Sequence, residues 1–225
     1  MLVHKSVKHC NDSTMARGER VAKRSPVTTA TGTSNDSSDR PQRRELILDA
    51  AITLFREHGF DATGIDEIGA AAGITGPGVY RHFASKQDIL DEAVRTGTKK
   101  VLQTEREILR RTTSPDETVD LLVAEVVEQV LDRPALFTVL LRERRNLSAR
   151  GRRSWNKALR TYVHEWVRPL RALQPGLGER EAETTVFAAM GIVTAIAQND
   201  GGLDRSTLAA RLRGMLRAAV LAQPR

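Results

Sequence analysis

From Arg43 to its end, the chain places apolar residues every three to four positions, and this spacing restricts the fold more than any other feature. The period is that of one face of an α-helix. Its first instance comprises Leu46, Ile47, Ala50, Ala51, Leu54 and Phe55. No segment alternates in the manner of a strand, and alanine, leucine, arginine and glutamate, which favour helices, are plentiful. The sequence therefore predicts an all-α protein of about nine helices.

Residues suited to helix ends divide the first half of this pattern into four helices. We expect them to cover about residues 43–58, 64–72, 76–82 and 86–111. Glycine favours the left-handed conformation that ends a helix, and hydroxyl side chains cap helix N-termini. An acidic residue three positions after the cap completes a capping box. The expected stops and caps are Gly59, Thr63 with Asp66, Gly73, Thr75, and Ser85 with Asp88.

The second half of the chain is also predicted to be helical. "SPDE" at 114–117 combines a cap, a first-turn proline and acids, so it should open a helix to about residue 131. Further helices are expected over about 134–146, 149–173, 179–199 and 205–222. We expect Pro169 to kink or end the third of these five.

Composition excludes several kinds of protein. The 225 residues contain one cysteine, Cys10, so an internal disulfide is excluded and a reducing compartment fits. The N-terminus has no apolar stretch typical of a signal peptide. The longest nearly apolar run covers 12 residues, 186–197, which is too short to span a bilayer. We therefore expect a cytoplasmic protein without membrane contact.

The formal net charge of +7 suggests an anionic partner, but the charge is unevenly distributed. Residues 1–40 hold seven basic and four acidic side chains, and their scarcity of large apolar groups predicts a disordered basic tail. Met15 is either an alternative translation start or an ordinary internal methionine of this tail. Residues 41–86 carry a net charge of −1, whereas 142–153 carry +5. A nucleic-acid site in 41–86 must therefore rest on local geometry.

Three short helices, the last two joined by a four-residue turn with glycine, describe a helix-turn-helix. The third helix of this motif enters the DNA major groove with its N-terminal end near the bases. Here that end reads Gly76–Pro77–Gly78, which leaves the backbone N–H groups open to approach. Donors follow at Tyr80, Arg81 and His82, and Lys86 can meet a phosphate.

Residues 60–90, "FDATGIDEIGAAAGITGPGVYRHFASKQDIL", resemble the DNA-binding signature of the tetracycline-repressor (TetR) family of bacterial transcriptional regulators. The matching features are Gly59–Phe60, "IDEIGAAAGI", the "VY-x-HF" core and "SK". The resemblance covers 43–90 and implies a DNA-binding domain over 41–90, followed by a helical effector-binding and dimerisation domain over 91–225.

The resemblance also implies residue roles. Phosphates should be bound by Tyr80, His82 and Lys86, and bases should be faced by Gly76, Pro77 and Arg81, with Thr75 as the helix cap. Many relatives have a hydroxyl residue at Gly78 and a longer polar residue at Gly76. Arg81 is therefore expected to carry much of the direct readout, by a bidentate contact to guanine. Val79 and Phe83 are expected to be core residues.

The C-terminal helices suggest a two-fold dimer. Residues 186–197 are apolar all round, as in a helix buried on more than one face. Leu208, Leu212, Leu216 and Val220 offer a second stripe. We expect the helices at 179–199 and 205–222 of two chains to form a four-helix bundle. Burial within a single chain is the alternative.

Two features of the middle helices are candidates for effector binding. Trp155, Tyr162 and Trp166 share a stripe that forms either ordinary core or a ligand pocket. The arginine-rich stretch 142–153, with Arg142 and Arg145, is a solvated corner, an extra contact to DNA phosphates, or a mouth for an anionic effector. The phosphates of an acyl-coenzyme A fit the last reading.

These observations predict a sequence-specific regulator that binds a pseudo-palindromic operator as a homodimer. We expect a repressor released by a small molecule. No cofactor, metal site or catalytic residue is expected, because no metal-ligand spacing and no serine nucleophile elbow occurs. The rival hypotheses are an effector-independent architectural DNA-binding protein and, less favoured by the motifs, an enzyme.

Overall fold

A computed structural model describes residues 36–198 and 202–222. This part of the chain is helical and contains no strand, so the all-α prediction is confirmed. Its α-helices are α1 (Asp36–His58), α2 (Ile65–Ala71), α3 (Gly76–Tyr80), α4 (Lys86–Arg111), α5 (Pro115–Asp132), α6 (Pro134–Arg142), α7 (Ala149–Leu173), α8 (Glu179–Gln198) and α9 (Arg205–Val220). One 3-10 turn, Arg144–Asn146, lies between α6 and α7.

Most of the predicted helix ends have the expected chemistry. The side chains of Thr75, Ser85 and Ser114 accept hydrogen bonds from the backbone N–H three residues later. Gly59 and Gly73 have φ of 85° and 69°, a left-handed conformation that glycine adopts without a Cβ clash. These local signals define helix boundaries because each cap acts within a single turn.

The predicted cap of α2 is wrong. Gly64, not Thr63, is the capping residue, and its N–H donates to Glu67 Oε2 at 3.4 Å. Thr63 is buried at 1% exposure, and its hydroxyl donates to the Gly59 carbonyl at 2.8 Å. Thr63 therefore stabilises the turn after α1 instead of the start of α2, and Asp66 lies one position before the capping-box residue.

Other boundaries differ from the prediction as well. The first helix begins at Asp36 and continues through Pro41, so residues 36–40 of the predicted tail are helical, while 1–35 lie outside the described residues. Residues 36–42 carry no apolar period, which hid this extension. Helix α6 ends at Arg142 instead of about 146. Helix α7 has the expected bounds and continues through Pro169 to Leu173, so Pro169 does not end it.

Two hydrophobic cores share helix α4. The first half of α4, including Ile89, Leu90 and Val94, packs with α1–α3 and α6. The second half, including Val101 and Leu102, packs against the core of α5, α7, α8 and α9. The predicted domain boundary at 90/91 therefore falls within one continuous helix. A displacement of the second half of α4 can move the first half with it.

Candidate nucleic-acid interface and apolar cavity

Helices α2 and α3 approach each other through two glycines. A Cβ on Gly69 would lie 3.0 Å from Gly76 N and Ile74 O, which are backbone atoms. A Cβ on Gly76 would lie 1.8 Å from Asp66 Oδ1. Gly76 is buried against α2, so a side chain at this position would require the Asp66 carboxylate to move. The expectation that Gly76 faces bases stays a prediction.

The opposite side of α3 is open. Val79 and Phe83 are buried at 0% and 2% exposure, which confirms that they are core residues. The exposed residues around α3 are Thr75, Pro77, Tyr80 and Arg81, with Gly78 partly exposed. Tyr80 is 57% exposed, an unusual position for an aromatic side chain in water. This face therefore presents the aromatic ring of Tyr80, the guanidinium of Arg81 and the N-terminus of α3, which carries no bulky side chain.

Four arginines surround His82, which is partly buried with an Nδ1 that has no hydrogen-bond partner among the described residues. Burial, and then the positive charges of Arg40, Arg44, Arg43 and Arg81, lower the pKa of His82 below its ordinary value. Arg44 also donates to the His82 carbonyl. The uncharged imidazole thus lies within a positive patch that combines the start of α1 with the end of α3.

Sequence reasoning missed the contribution of α1 to this patch. The run "RPQRR" at 40–44 contains three arginines. The net charge of −1 over 41–86 conceals two of them, because acidic side chains elsewhere in that range offset their charge. Arg44 is held in place by stacking its guanidinium 4.1 Å from the centre of the Phe83 ring and by an ion pair with Glu92 at 3.7 Å. The cluster of arginines at the start of the first helix is the sequence feature that could have revealed this part of the patch.

Lys86 lies at the start of α4, where a phosphate contact was expected, but its ammonium is engaged elsewhere. Nζ donates to the carbonyls of Phe60 at 2.6 Å, Thr63 at 2.8 Å and Asp61 at 3.3 Å. It also lies 4.5 Å from the centre of the Phe60 ring. All three N–H donors hold the α1–α2 turn, which gives Lys86 a structural task that the sequence did not reveal.

A cavity of about 80 Å³ lies among α4–α9, and its wall is almost entirely apolar. Trp155, Tyr162 and Trp166 line it, so the structure brings together the three aromatic residues of the predicted stripe. Arg142 and Arg145 are exposed at the α6–α7 junction and do not line it. Two other wall residues, Leu140 of α6 and Trp155 of α7, belong to the elements that flank this basic junction.

A buried carboxyl group lies behind the aromatic wall. Trp166 Nε1 donates to Glu105 Oε1 at 2.8 Å, and Glu105 is 3% exposed. Burial, reinforced by the neighbouring charge of Glu165, raises the pKa of Glu105 to about 9. Glu105 is therefore a neutral acid at pH 7. No sequence pattern distinguished it from the other glutamates of α4.

The outer face of α8 and α9 is apolar and built mainly from small residues. Phe187 and Met215 are 47% and 56% exposed. Exposed small residues beside them are Ala188, Gly191, Ala195, Gly214 and Ala218. The stripe Leu208, Leu212, Leu216 and Val220, expected to face a partner, instead packs into the chain's own core. The surface available to a second copy is thus the opposite face of α9.

No group of three or more histidine, cysteine, aspartate or glutamate side chains is arranged to hold a metal ion in the described ranges. In that same part of the chain, every helix is too short or too polar to cross a membrane.

Comparison with known proteins agrees with this geometry. Residues 47–93 match "Bacterial regulatory proteins, tetR family" and residues 112–220 match "Tetracyclin repressor-like, C-terminal domain". The chain is 31% identical, over 62% of its length and 69% of the relative's, to the HTH-type transcriptional repressor KstR2 of Rhodococcus jostii (strain RHA1). The match to KstR2 of Mycolicibacterium smegmatis spans 56% of that protein.

Solved structures share the fold. KstR2 of Mycobacterium tuberculosis is similar with a TM-score of 0.68 and 23% identity, over 80% of this chain and 93% of that one. FadR of Bacillus subtilis, in complex with stearoyl-CoA, has a TM-score of 0.64 and 22% identity, over 78% and 98%. With a helix-turn-helix beside a positive patch and both family domains matched, the chain belongs to the TetR family of bacterial regulatory proteins and is a DNA-binding transcriptional regulator.

Proposed function

We propose that the protein is a cytoplasmic repressor that binds a pseudo-palindromic operator as a homodimer and is released by a small molecule. The observation that carries the DNA-binding part is the open face of α3, where Tyr80 and Arg81 lie beside the arginine patch of α1. Arginine pairs with guanine in the major groove, and clustered arginines bind phosphates. The relatives named KstR2 are repressors, which supports the sign of regulation.

In this proposal each part of α3 has a distinct task. Arg81 and Pro77 face bases, Thr75 and Gly78 bring the helix start close to DNA, and Tyr80 and His82 contact phosphates. The low pKa of His82 means that its imidazole acts there as a neutral donor. We expect Arg40, Arg43 and Arg44 to supply most of the phosphate attraction.

Dimerisation would occur through the outer face of α8 and α9. Phe187 and Met215 are large apolar side chains in water, flanked by small residues that let a second helix pair approach closely. A two-fold dimer would place two copies of α3 in successive major grooves, roughly 34–36 Å apart.

Release would depend on the connection that α4 makes between the cavity and the DNA-binding end. The cavity, at about 80 Å³, is too small for a long acyl chain, so binding must displace its walls. Thr98, Val101 and Leu102 of α4 are part of these walls. A ligand that favours displaced walls therefore favours a different position of α4, and this shifts the population away from the DNA-binding spacing.

A second contact ties α4 to α7 near the DNA-binding end. Asp91 accepts hydrogen bonds from Ser148 N at 3.0 Å and from the Ser148 hydroxyl, at the N-terminus of α7. Gly151 packs so closely there that a Cβ would lie 2.2 Å from Asp91 Oδ1. Since α7 also carries Trp155 and Tyr162 into the cavity wall, motion of α7 would be transmitted to α4 through this contact.

The effector class that fits best is an acyl-coenzyme A. An apolar cavity suits the acyl chain, and the basic junction 142–153 beside its end suits the phosphates. The structural neighbour FadR of Bacillus subtilis holds stearoyl-CoA, which supports this class. Arg142 and Arg145 would then contact the phosphates at the cavity mouth, whereas Trp155, Tyr162 and Trp166 contact the acyl part.

Fluorescence anisotropy with the full-length protein tests the proposal. The DNA is the region adjoining its own gene, against a scrambled control, at two salt concentrations, with and without stearoyl-CoA. We expect selective binding that stearoyl-CoA weakens at least about tenfold. Arg81→Ala should lose the discrimination between sites, while the exposed Arg168→Ala on α7 should retain it.

Two outcomes would contradict parts of the proposal. Selective binding that no acyl-CoA weakens would favour an effector-independent architectural protein. Full discrimination by Arg81→Ala would remove base readout from α3. An enzyme would require turnover of the acyl-CoA, which mass spectrometry of the recovered ligand would detect.

A further inference from the structure

Two residues of the cavity wall, Gln129 and Trp155, each carry a buried polar atom that lacks a partner in the described part of the chain. The side-chain atoms Gln129 Oε1 and Trp155 Nε1 are buried and have no hydrogen-bond partner among the described residues. The hydroxyls of Thr98 and Thr194, also in the wall, donate to the carbonyls of Val94 and Gly191. A buried polar atom without a partner costs free energy, so a ligand that supplies the missing partners is favoured.

The orientation of Gln129 is fixed by its neighbour. Its Nε2 donates to Glu125 Oε1 at 2.7 Å. An ionised carboxylate only accepts hydrogen bonds, so turning the amide over would place two acceptors against each other. The atom left without a partner is therefore an acceptor, and its missing partner is an O–H or N–H donor, which a ligand that displaces the wall can supply.

The unpartnered atom of Trp155 is a hydrogen-bond donor, whereas that of Gln129 is an acceptor. The indole Nε1–H is a donor only, so it requires an acceptor such as a carbonyl oxygen. Trp155 packs against the core of the DNA-binding end and follows Arg152 and Arg153 in the basic junction. Gln129 lies on a different element, α5. The acceptor atom of the ligand should thus lie towards the basic junction. The donor group of the ligand should lie at a separate point of the ligand molecule.

We propose that the cavity selects acyl groups that carry a hydroxyl: Trp155 Nε1 donates to the acyl carbonyl, and Gln129 Oε1 accepts from a hydroxyl on the chain. This inference rests on the acyl-coenzyme A proposal above and narrows its substrate class. An unsubstituted chain fills the same apolar space but leaves Gln129 buried beside methylene groups.

The intrinsic fluorescence of the protein reports occupancy directly. The chain has two tryptophans, Trp155 and Trp166, and both line the cavity. Full-length protein is titrated with stearoyl-CoA and with stearoyl-CoA hydroxylated at carbon 3, 10, 12 or 18. The corresponding free acids are titrated in parallel, so that the contribution of the coenzyme is measured separately.

We expect at least one hydroxylated thioester to bind about tenfold more tightly than stearoyl-CoA. Gln129→Leu should remove that preference while binding stearoyl-CoA at least as tightly as wild type. Gln103→Leu, an exposed glutamine on α4 outside the cavity wall, is the matched control and should keep it. Trp155→Phe should weaken all thioesters alike, with Trp166 as the remaining reporter.

The outcomes separate the two proposals. If stearoyl-CoA binds and releases DNA but no hydroxylated thioester is preferred, the hydroxyl inference is wrong and the proposed function stands. Retention of the preference in Gln129→Leu also overturns the inference. If none of the thioesters or acids changes the fluorescence, the acyl effector and the hydroxyl inference both fail, while selective DNA binding is unaffected.

Discussion

At the scale of single residues, Glu105 shows how burial changes the chemistry of a side chain. It lies on a helix whose other carboxylates are exposed or paired with polar partners, yet it is 3% exposed and accepts a hydrogen bond from Trp166. Burial raises the pKa of its carboxyl group to about 9, so the folded protein holds a proton that the unfolded chain releases above about pH 4.5. The proton links the stability of the cavity wall to pH.

Glu105→Gln should flatten the pH dependence of stability. Between about pH 4.5 and 9 the folded state binds this proton and the unfolded state does not, so the free energy of unfolding falls as pH rises, by up to about 1.4 kcal/mol per unit. Glutamine keeps an oxygen that can accept from Trp166 Nε1 but cannot ionise. We expect urea denaturation at pH 5 and 8 to show a smaller difference for the variant.

The control for this prediction is Glu107→Gln, because Glu107 is an exposed glutamate on the same helix, paired with Arg111 at 3.0 Å. It should keep the pH dependence of wild type. An unchanged slope in Glu105→Gln would mean that another group binds the proton.

At the scale of elements, the position of α3 depends on its close approach to α2. Gly69 lies against the backbone of residues 74–76, and Gly76 lies against Asp66. Neither glycine is required by its own backbone angles, because neither has a positive φ. Their small size is therefore a requirement of packing between helices, and it sets how far α3 projects towards DNA.

Gly69→Ala should lower the free energy of unfolding by roughly 1–3 kcal/mol, since its Cβ would meet backbone atoms that cannot rotate away. It should also weaken operator binding, because α3 must move outwards. Gly176→Ala is the matched control, with nothing within 4 Å of the added Cβ. Chemical denaturation and anisotropy measure both effects. Wild-type values for Gly69→Ala would show that the two helices have room to adjust.

At the scale of the whole molecule, the proposed assembly depends on the face of α8 and α9 that the chain itself leaves uncovered. The inner stripe of α9 is used in the chain's own core, so the partner surface consists of Phe187, Met215 and the small residues beside them. In the proposed function, operator binding by two copies of α3 would require this contact to set their separation.

Phe187→Asp should convert the dimer to a monomer, because dimerisation would bury a charge on each chain. Operator affinity should fall at least about tenfold when one half-site contact is lost. Leu121→Asp places the same charge at another exposed apolar residue, on α5, and should remain dimeric. Light scattering measures the mass, and circular dichroism checks that the monomer stays helical. A dimeric Phe187→Asp would place the interface elsewhere.

The sequence by itself determined the helices and most of their ends. Ser85, Ser114 and Gly59 act on backbone groups within one turn, and the helical period identified Val79 and Phe83 as core. Such signals are readable because the interacting groups are three or four residues apart. The helix-turn-helix and its resemblance to the TetR family were recognisable in the sequence for the same reason, because the residues of the motif lie close together in the chain.

Only the tertiary structure decided where the polar side chains point and which faces are covered. Lys86 contacts carbonyls 23–26 residues away, and Trp166 donates to a glutamate 61 residues away. Gly76 is closed off by α2, and the arginines of α1 meet His82 across α3. These contacts join segments whose separation is set by packing of the whole core, so no local pattern in the chain encodes them.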